Sequence, residues 1–86
     1  MQLTCDESKR QATRADRGLD FADAAFVFAD AVALWEDTRK DYGEQRMICI
    51  GFLLGRLIVV GYVQRGDSRH IFSMRKANER EQARFG

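Results

Sequence analysis

Apolar residues concentrate between residues 46 and 76, in three runs separated by short polar or glycine-containing breaks. The runs cover residues 46–52, 57–63 and 70–76 and are rich in β-branched and aromatic side chains. Such runs, joined by short turns, predict three consecutive antiparallel strands, that is, a meander.

The first break predicts the register of this meander. A two-residue loop at Leu54-Gly55 pairs Leu53 with Arg56, and side chains alternate between the faces from there. Arg46 and Arg65 then share a corner beside Gly61, which has no side chain, and this corner is the candidate site. One face carries Arg46, Ile48, Ile50, Phe52, Leu57, Val59, Gly61, Val63 and Arg65, and the other carries Met47, Cys49, Gly51, Ile58, Val60 and Tyr62.

The remaining segments predict shorter elements around the meander. Residues 2–5 and 32–36 are candidate strands, and a helix runs from the N-cap Asp6 to Gly18. A second helix begins at Asp20 with an apolar stripe, and a short C-terminal helix begins at Asn78 with Glu81 completing a capping box. The predicted buried side chains are Phe21, Phe26, Phe28, Ile48, Ile50, Val59, Val60 and Phe72, with Trp35 also assigned to the core.

These elements predict an α+β fold. It has a small antiparallel sheet, made of the three-stranded meander and short N-terminal strands, with two helices packed on one face and a short C-terminal helix. The length of 86 residues fits a single domain over residues 1–86.

Composition excludes several classes of site. The net charge of +1 does not indicate a general nucleic-acid binder, so the placement of charge matters more than its total. Cys5 and Cys49 lack metal-ligand spacing, and His70 is the only histidine, so we expect no metal and no cofactor. No signal peptide or membrane-spanning run is visible, which predicts a cytoplasmic protein without a membrane partner.

Five segments, in their order along the chain, together resemble one known family: Gly18 to Ala24, Asp37 to Arg46, Gly55 to Val60, Arg65-Gly66-Asp67 and Ser73 to Ala77. The family that they resemble is BrnT, the toxins of a bacterial type II toxin–antitoxin system. The resemblance covers nearly the whole chain. It departs at Asp16-Arg17-Gly18, where the family usually has Lys-His-Gly, so Arg17 stands in place of a histidine.

The resemblance implies a RelE-like fold and a ribonuclease that halts growth. It also implies a partner, the BrnA antitoxin, a ribbon–helix–helix protein that neutralises the toxin. Operator DNA would then be contacted only indirectly, through the antitoxin, and a heterotetramer with the antitoxin is one assembly consistent with the family.

RelE-like toxins resemble one another in using cations and tyrosine for RNA cleavage, where charge stabilisation contributes much of the rate. The candidate catalytic residues here are Arg65, Arg75 and Lys76, and Arg46 is the candidate RNA-binding residue. An odd loop after Arg65 would place Arg75 on the face of Arg46, and an even loop would place Lys76 there. The odd loop is favoured because Gly61 and Ser73 would leave room for a substrate.

Two other interpretations stay open. The cations could be solvated strand-end residues paired with Glu44, Asp67 or Glu79, since surface ion pairs are common and weak. The chain could also be a non-catalytic module that acts as a co-repressor with the antitoxin, an alternative motivated by the missing histidine.

Overall fold

Five strands and three helices form the fold, and the computed structural model describes all 86 residues. The α+β class is confirmed. The strands are β1 (Gln2–Cys5), β2 (Ala31–Glu36), β3 (Met47–Leu53), β4 (Arg56–Arg65) and β5 (Ser68–Lys76), and the helices are α1 (Glu7–Arg17), α2 (Ala24–Ala29) and α3 (Glu79–Phe85).

The strands form one sheet in the order β1-β5-β4-β3-β2. β1 pairs parallel to β5, whereas the other neighbours are antiparallel. The prediction of a purely antiparallel sheet is therefore wrong, and the sheet is mixed. The physical reason is that no tight turn connects β1 to its partner β5. The chain leaves β1 through α1 and reaches β5 only after three other strands, so the relative direction of the two strands is not set by a local turn.

The β3–β4 hairpin has the predicted register. Leu53 pairs with Arg56, and Ile50 pairs with Val59. Both loop residues have positive φ, 51° at Leu54 and 77° at Gly55. A type I′ turn needs this conformation at both central positions, and glycine adopts it without steric cost.

The next connection differs from the prediction. Arg65 pairs with Ser68, so the loop has an even number of residues, Gly66 and Asp67, rather than an odd one. A register shift between Gly61 and Tyr62 compensates, because β5 contributes the extra residue Phe72 there. This bulge restores the pairing of Gly61 with Ser73 and reverses the alternation beyond it. Arg75 thus lies on the predicted face, but because of the bulge at Phe72 and not because of an odd loop.

Each face of the sheet packs into its own core. The larger core contains Phe21, Ala24 and Val27 from the segment that includes α2, packed on one face of the sheet. The smaller core lies on the other face, where Ala77 and Phe85 contact it near α3. The strand residues of the larger core are Cys49, Ile58, Val60, Tyr62, Ile71 and Met74, and those of the smaller one are Ile50, Leu57 and Val59, with Ile48 and Phe52 packed against it.

These two cores separate the residues of β3 and β4 as the alternation predicts. Burial of Phe21, Ile50, Val59 and Val60 is confirmed, whereas Phe28, Ile48 and Phe72 are only partly buried. The prediction is wrong for Phe26, which is 61% exposed, and for Trp35, which is 37% exposed. Phe26 is exposed because this segment buries Phe21, Ala24 and Val27, and Phe26 does not lie on that stripe.

The predicted helix boundaries are confirmed. Asp6 accepts hydrogen bonds from the backbone of Ser8 and Lys9, and Gly18 ends α1 in the left-handed conformation. Asn78 and Glu81 form the reciprocal capping box of α3. Asp20 begins a 3₁₀ turn, Phe21–Asp23, which leads into α2. No helix has the length and apolar character that a membrane crossing requires.

Candidate active site

Arg75 and Glu81 form the centre of the candidate site. Nη1 of Arg75 donates to Oε1 of Glu81 at 2.7 Å, and Nη2 donates to Oε2 at 2.9 Å. The hydrogen bonds raise the pKa of Arg75 and lower the pKa of Glu81, so both groups stay charged. The capping box fixes Glu81, because its carboxylate also accepts from the backbone N–H of Asn78 at 2.9 Å. The two Nη atoms of Arg75 therefore bind the two carboxylate oxygens of Glu81 side by side. Arginine binds two oxygens of a phosphate in the same bidentate geometry.

A groove of about 290 Å³ opens beside this pair, and we call it the catalytic groove. Arg75, Glu81 and Arg39 lie on its wall, together with Asp37 and Trp35. Arg39 is close enough to Arg75 for the two positive charges to repel each other, although the hydrogen bond with Glu81 outweighs this repulsion and leaves the pKa of Arg75 raised. The groove therefore holds two guanidinium groups, and each is hydrogen-bonded to a carboxylate: Arg75 to Glu81 and Arg39 to Asp37. The planar fork of arginine is the side chain best suited to bind the oxygens of a phosphate or carboxylate.

Asp37 holds the loop that supplies Arg39. It is the one buried charged residue, 7% exposed, and it accepts from Nε and Nη2 of Arg39 at 2.9 and 2.8 Å. The hydroxyl of Tyr42 donates to the same carboxylate at 3.1 Å. These hydrogen bonds, the one from Arg39 first, hold the pKa of Asp37 well below its ordinary value. The segment between β2 and β3 is therefore folded around a buried charge.

Arg46 lies between two aromatic rings. Its guanidinium carbon is 4.2 Å from the ring centroid of Tyr42 and 4.5 Å from that of Phe72. It has no salt bridge in the structure, and its Nε is buried without a hydrogen-bond partner. A half-buried cation held by ring faces alone keeps its full charge available to an anion.

Arg65 lies at the far end of the same face. It pairs with Glu44 at 3.5 Å and remains largely exposed. Arg75 is opposite Val59, six residues from Arg65 along β4, which corresponds to about 20 Å at roughly 3.3 Å per residue. The structure therefore does not bring Arg65 and Arg75 to one phosphate, and Arg46 lies between them along the sheet.

Lys76 lies outside the catalytic groove. It is exposed and lines a separate groove of about 510 Å³ with Arg56 and Gln82. Because β-strand side chains alternate, the residue after Arg75 points to the other side of the strand. Of the four predicted cations, the structure thus places Arg75 in the catalytic groove, Arg46 and Arg65 farther along that face, and Lys76 elsewhere.

The expected space beside Gly61 is filled. A Cβ built at Gly61 would lie 2.7 Å from Cζ of Phe72 and 2.6 Å from Oγ of Ser73. The prediction that Gly61 and Ser73 leave room for a substrate is wrong, because the bulged Phe72 covers the glycine. Gly61 instead permits the ring to lie against the sheet, where it supports Arg46.

Three residues of the candidate site were not among the predicted ones: Arg39, Tyr42 and Glu81. Tyr42 precedes Arg46 by four residues, but both lie in an irregular connection. Their spacing therefore does not predict that the two side chains are in contact. Glu81 was visible only as a capping residue. A capping carboxylate shortly after a strand-end arginine is the signal that could have identified the pair.

Comparison with known proteins identifies a family for the chain. The family model described as "Ribonuclease toxin, BrnT, of type II toxin-antitoxin system" matches residues 5–81. A search of curated proteins gives no match to the chain.

Proposed function

We propose a mechanism from one premise: the chain belongs to the BrnT family, the ribonuclease toxins of type II toxin–antitoxin systems. The protein would cleave single-stranded RNA in the cytoplasm, in the catalytic groove, through attack of the neighbouring 2′-hydroxyl. The observation that carries this proposal is the bidentate pair of Arg75 and Glu81 on the wall of an open groove.

The 2′-hydroxyl route requires a base, a stabiliser of the phosphorane charge and a proton for the leaving oxygen. Glu81 is the carboxylate beside Arg75, and it would accept the proton of the 2′-hydroxyl. The 2′ oxygen then bonds to phosphorus while the bond to the 5′ oxygen breaks, and water in the open groove protonates that oxygen. The products are a 2′,3′-cyclic phosphate and a 5′-hydroxyl.

Arg75 and Arg39 would stabilise the non-bridging oxygens as charge develops on them. Preorganised cations of this kind are held in place before the reaction and so cost no reorganisation. Arg46 and Arg65 would bind successive phosphates farther along the face, where the register places them. Lys76 would contact the RNA only outside the catalytic groove, since it lines a separate groove with Arg56 and Gln82.

Cleavage without a metal ion is part of the proposal. The structure has no group of three or more His, Cys, Asp or Glu residues able to hold a metal ion. In the proposed mechanism the chemistry comes from the side chains and from the substrate's own 2′-hydroxyl.

The test uses a defined single-stranded RNA with and without excess chelator. We expect cleavage in both, ending in cyclic phosphate and 5′-hydroxyl. Glu81→Gln keeps the size of the side chain and removes the base, so cleavage should fall by about 10²-fold or more. A Glu81→Gln protein that cleaves as fast as the parent would contradict the role of Glu81. Cleavage abolished by chelator would contradict the metal-free route.

A protein antitoxin of BrnA type is the proposed partner. The proposed assembly is a heterotetramer of toxin and antitoxin, in which only the antitoxin contacts operator DNA. A groove of about 400 Å³ offers a docking surface for it. Phe26 and Leu54, which are 61% and 95% exposed, line this groove beside Asp23 and Asp30. Neither carboxylate has a salt bridge in the structure. Exposed apolar surface with unpaired acids fits a cationic amphipathic segment of a protein rather than RNA.

Variants of this surface test the partner. Asp30→Lys and Phe26→Ser should weaken the complex with the co-expressed antitoxin, because one reverses the charge and the other removes the apolar contact. Asp16→Lys makes the same charge change on α1 and should leave the complex intact. An antitoxin that co-purifies equally with all three proteins would exclude this groove as the docking surface.

The overall architecture supports a RelE-like fold, with α1 and α2 against the sheet face that buries Tyr62 and Met74. Arg17 stands where the resemblance places a histidine, and its Nη1 donates to the backbone oxygen of Met74 at 3.0 Å. This contact ties the end of α1 to β5 and lies on the face opposite the catalytic groove. The departure from the family therefore does not remove a group from the proposed chemistry.

A further inference from the structure

A second groove lies next to the catalytic groove, between β2 and α3. Its volume is about 570 Å³, within the range of small-ligand sites. Trp35 and Phe85 form its apolar part, and Arg80 and Arg84 form its charged part. We call it the aromatic groove. None of the residues predicted from the sequence as site residues lies in it.

The aromatic part is a preformed stacking surface. The rings of Trp35 and Phe85 are nearly parallel, at 16°, with centroids 5.8 Å apart. Trp35 remains 37% exposed although it belongs to a strand of the sheet. Stacked and partly exposed rings accept a further planar group, and nucleobases stack on such surfaces regardless of sequence.

The charged part supplies phosphate ligands. Arg80 and Arg84 are four residues apart on α3, so they lie on one face of the helix. Neither forms a salt bridge in the structure. Arg84 also lies over the ring of Phe85, at 5.2 Å from its centroid. Two guanidinium groups without salt bridges in the same groove as an aromatic pair match the combination of phosphate and base in one nucleotide.

The two grooves are continuous. Trp35 and Glu81 line both of them, so a chain that occupies one leads directly into the other. We propose that the aromatic groove binds the nucleotide adjacent to the scissile phosphate of a single-stranded RNA. Its base stacks on Trp35 and Phe85, and its phosphate contacts Arg80 and Arg84. The inference rests on the proposed function, since it names a substrate subsite of the same enzyme.

Stacking also explains a preference for single strands. A base inside a duplex has both faces covered by its neighbours, whereas an unpaired base can leave its stack and bind an aromatic surface. The aromatic groove would thus select unpaired RNA before the chemical step.

Trp35 is the only tryptophan of the chain, so its fluorescence reports on the aromatic groove and on the junction with the catalytic groove, both of which it lines. The probe is a short single-stranded oligonucleotide with 2′-O-methyl groups, which cannot be cleaved through its 2′ oxygens. We expect saturable quenching by this oligonucleotide and much weaker quenching by its duplex. The Arg80→Ala/Arg84→Ala protein should bind the probe roughly tenfold less tightly or worse. Lys9→Ala/Arg14→Ala removes the same charge from α1 and should bind as the parent does.

Kinetics provide the second measurement. Trp35→Leu should raise KM for a cleavable RNA several-fold more than it lowers kcat, because it removes binding and leaves Arg75 and Glu81 in place. Trp35→Phe should restore most of the affinity, since it keeps an aromatic face. A merely structural tryptophan would lower activity and stability together, without this split between KM and kcat.

Three outcomes would overturn the inference. They are unchanged fluorescence at saturating probe, equal probe affinity in the Arg80→Ala/Arg84→Ala protein, and loss of antitoxin binding without loss of RNA binding in that protein. Failure of the subsite and failure of the proposed function are distinguishable. Normal cleavage without quenching refutes the subsite alone, and quenching without any cleavage refutes the ribonuclease activity alone.

Discussion

Arg75 and Arg46 lie on the same face of the sheet but are held by opposite means. Arg75 is fixed by a carboxylate, with two hydrogen bonds to Glu81. Arg46 is fixed by two ring faces and has no carboxylate. A carboxylate orients a guanidinium group, compensates its charge and can also accept a proton. Aromatic rings orient the guanidinium group but leave its charge uncompensated. From this difference we propose a chemical role for Arg75 and a binding role for Arg46.

The largest expected effect is that of Arg75→Ala. We expect cleavage of a defined RNA to fall by on the order of 10²-fold or more, because a preorganised cation stabilises the transition state. Binding of the 2′-O-methyl oligonucleotide should change far less. Lys9→Ala, on the far side of the sheet, serves as the control. An Arg75→Ala protein that retains full kcat would assign the chemistry to another residue.

Arg46 should show the reverse pattern. Arg46→Ala is expected to weaken binding of the uncleavable oligonucleotide roughly tenfold, and to lower kcat less than Arg75→Ala does. Arg46→Lys should not restore binding, because an ammonium group lacks the planar surface that packs between two rings. Full affinity in the Arg46→Lys protein would show that charge alone matters at this position.

Gly61→Ala should disturb Arg46 and spare Arg75. The added methyl group would collide with the ring of Phe72, which covers Gly61 and supports Arg46. We expect the free energy of unfolding to fall by about 1–3 kcal/mol, as for other overpacked sites. Chemical denaturation measures this change, and oligonucleotide binding should weaken in parallel. A protein of unchanged stability would mean that Phe72 moves aside freely.

The smallest expected effect is on the free energy of unfolding in acid, which should depend on the partner of Arg75 and not on that of Arg46. The pKa of Glu81 is lowered by its hydrogen bonds with Arg75, so this pair stabilises the fold above the ordinary glutamate pKa of about 4.3. The contribution is lost as pH falls below that value. Asp20 behaves alike, since its hydrogen bond with Arg10 lowers its pKa to about 2. Arg46 has no titrating partner.

Unfolding measured between pH 6 and pH 2 tests this expectation. Stability should decrease as the solution is acidified, and Glu81→Gln and Asp20→Asn should each flatten the decrease. The Nε–H resonance of Arg75 should shift over this range while that of Arg46 stays constant. A shift of the Arg46 resonance along with that of Arg75 would contradict the comparison.

Much of the fold follows from local sequence. The hairpin at Leu54-Gly55, the caps at Asp6 and Asn78 and the two-faced alternation of β3 and β4 all depend on neighbours in sequence, and all are confirmed. The mixed sheet was not predicted, because pairing of β1 with β5 joins the two ends of the chain. The choice between Arg75 and Lys76 depended on a bulge at Phe72 that no local pattern announced.

The sequence by itself determined which cations the face could carry, because strand alternation and turn geometry are local properties of the backbone. Only the tertiary structure decided the surroundings of each cation. The fold brings Glu81 of α3 to Arg75, places the rings of Tyr42 and Phe72 around Arg46, and separates Arg65 from Arg75 along β4. These contacts and distances arise from packing between segments that are distant in sequence. Shape and buried charge select such contacts, and the spacing of residues along the sequence does not predict them.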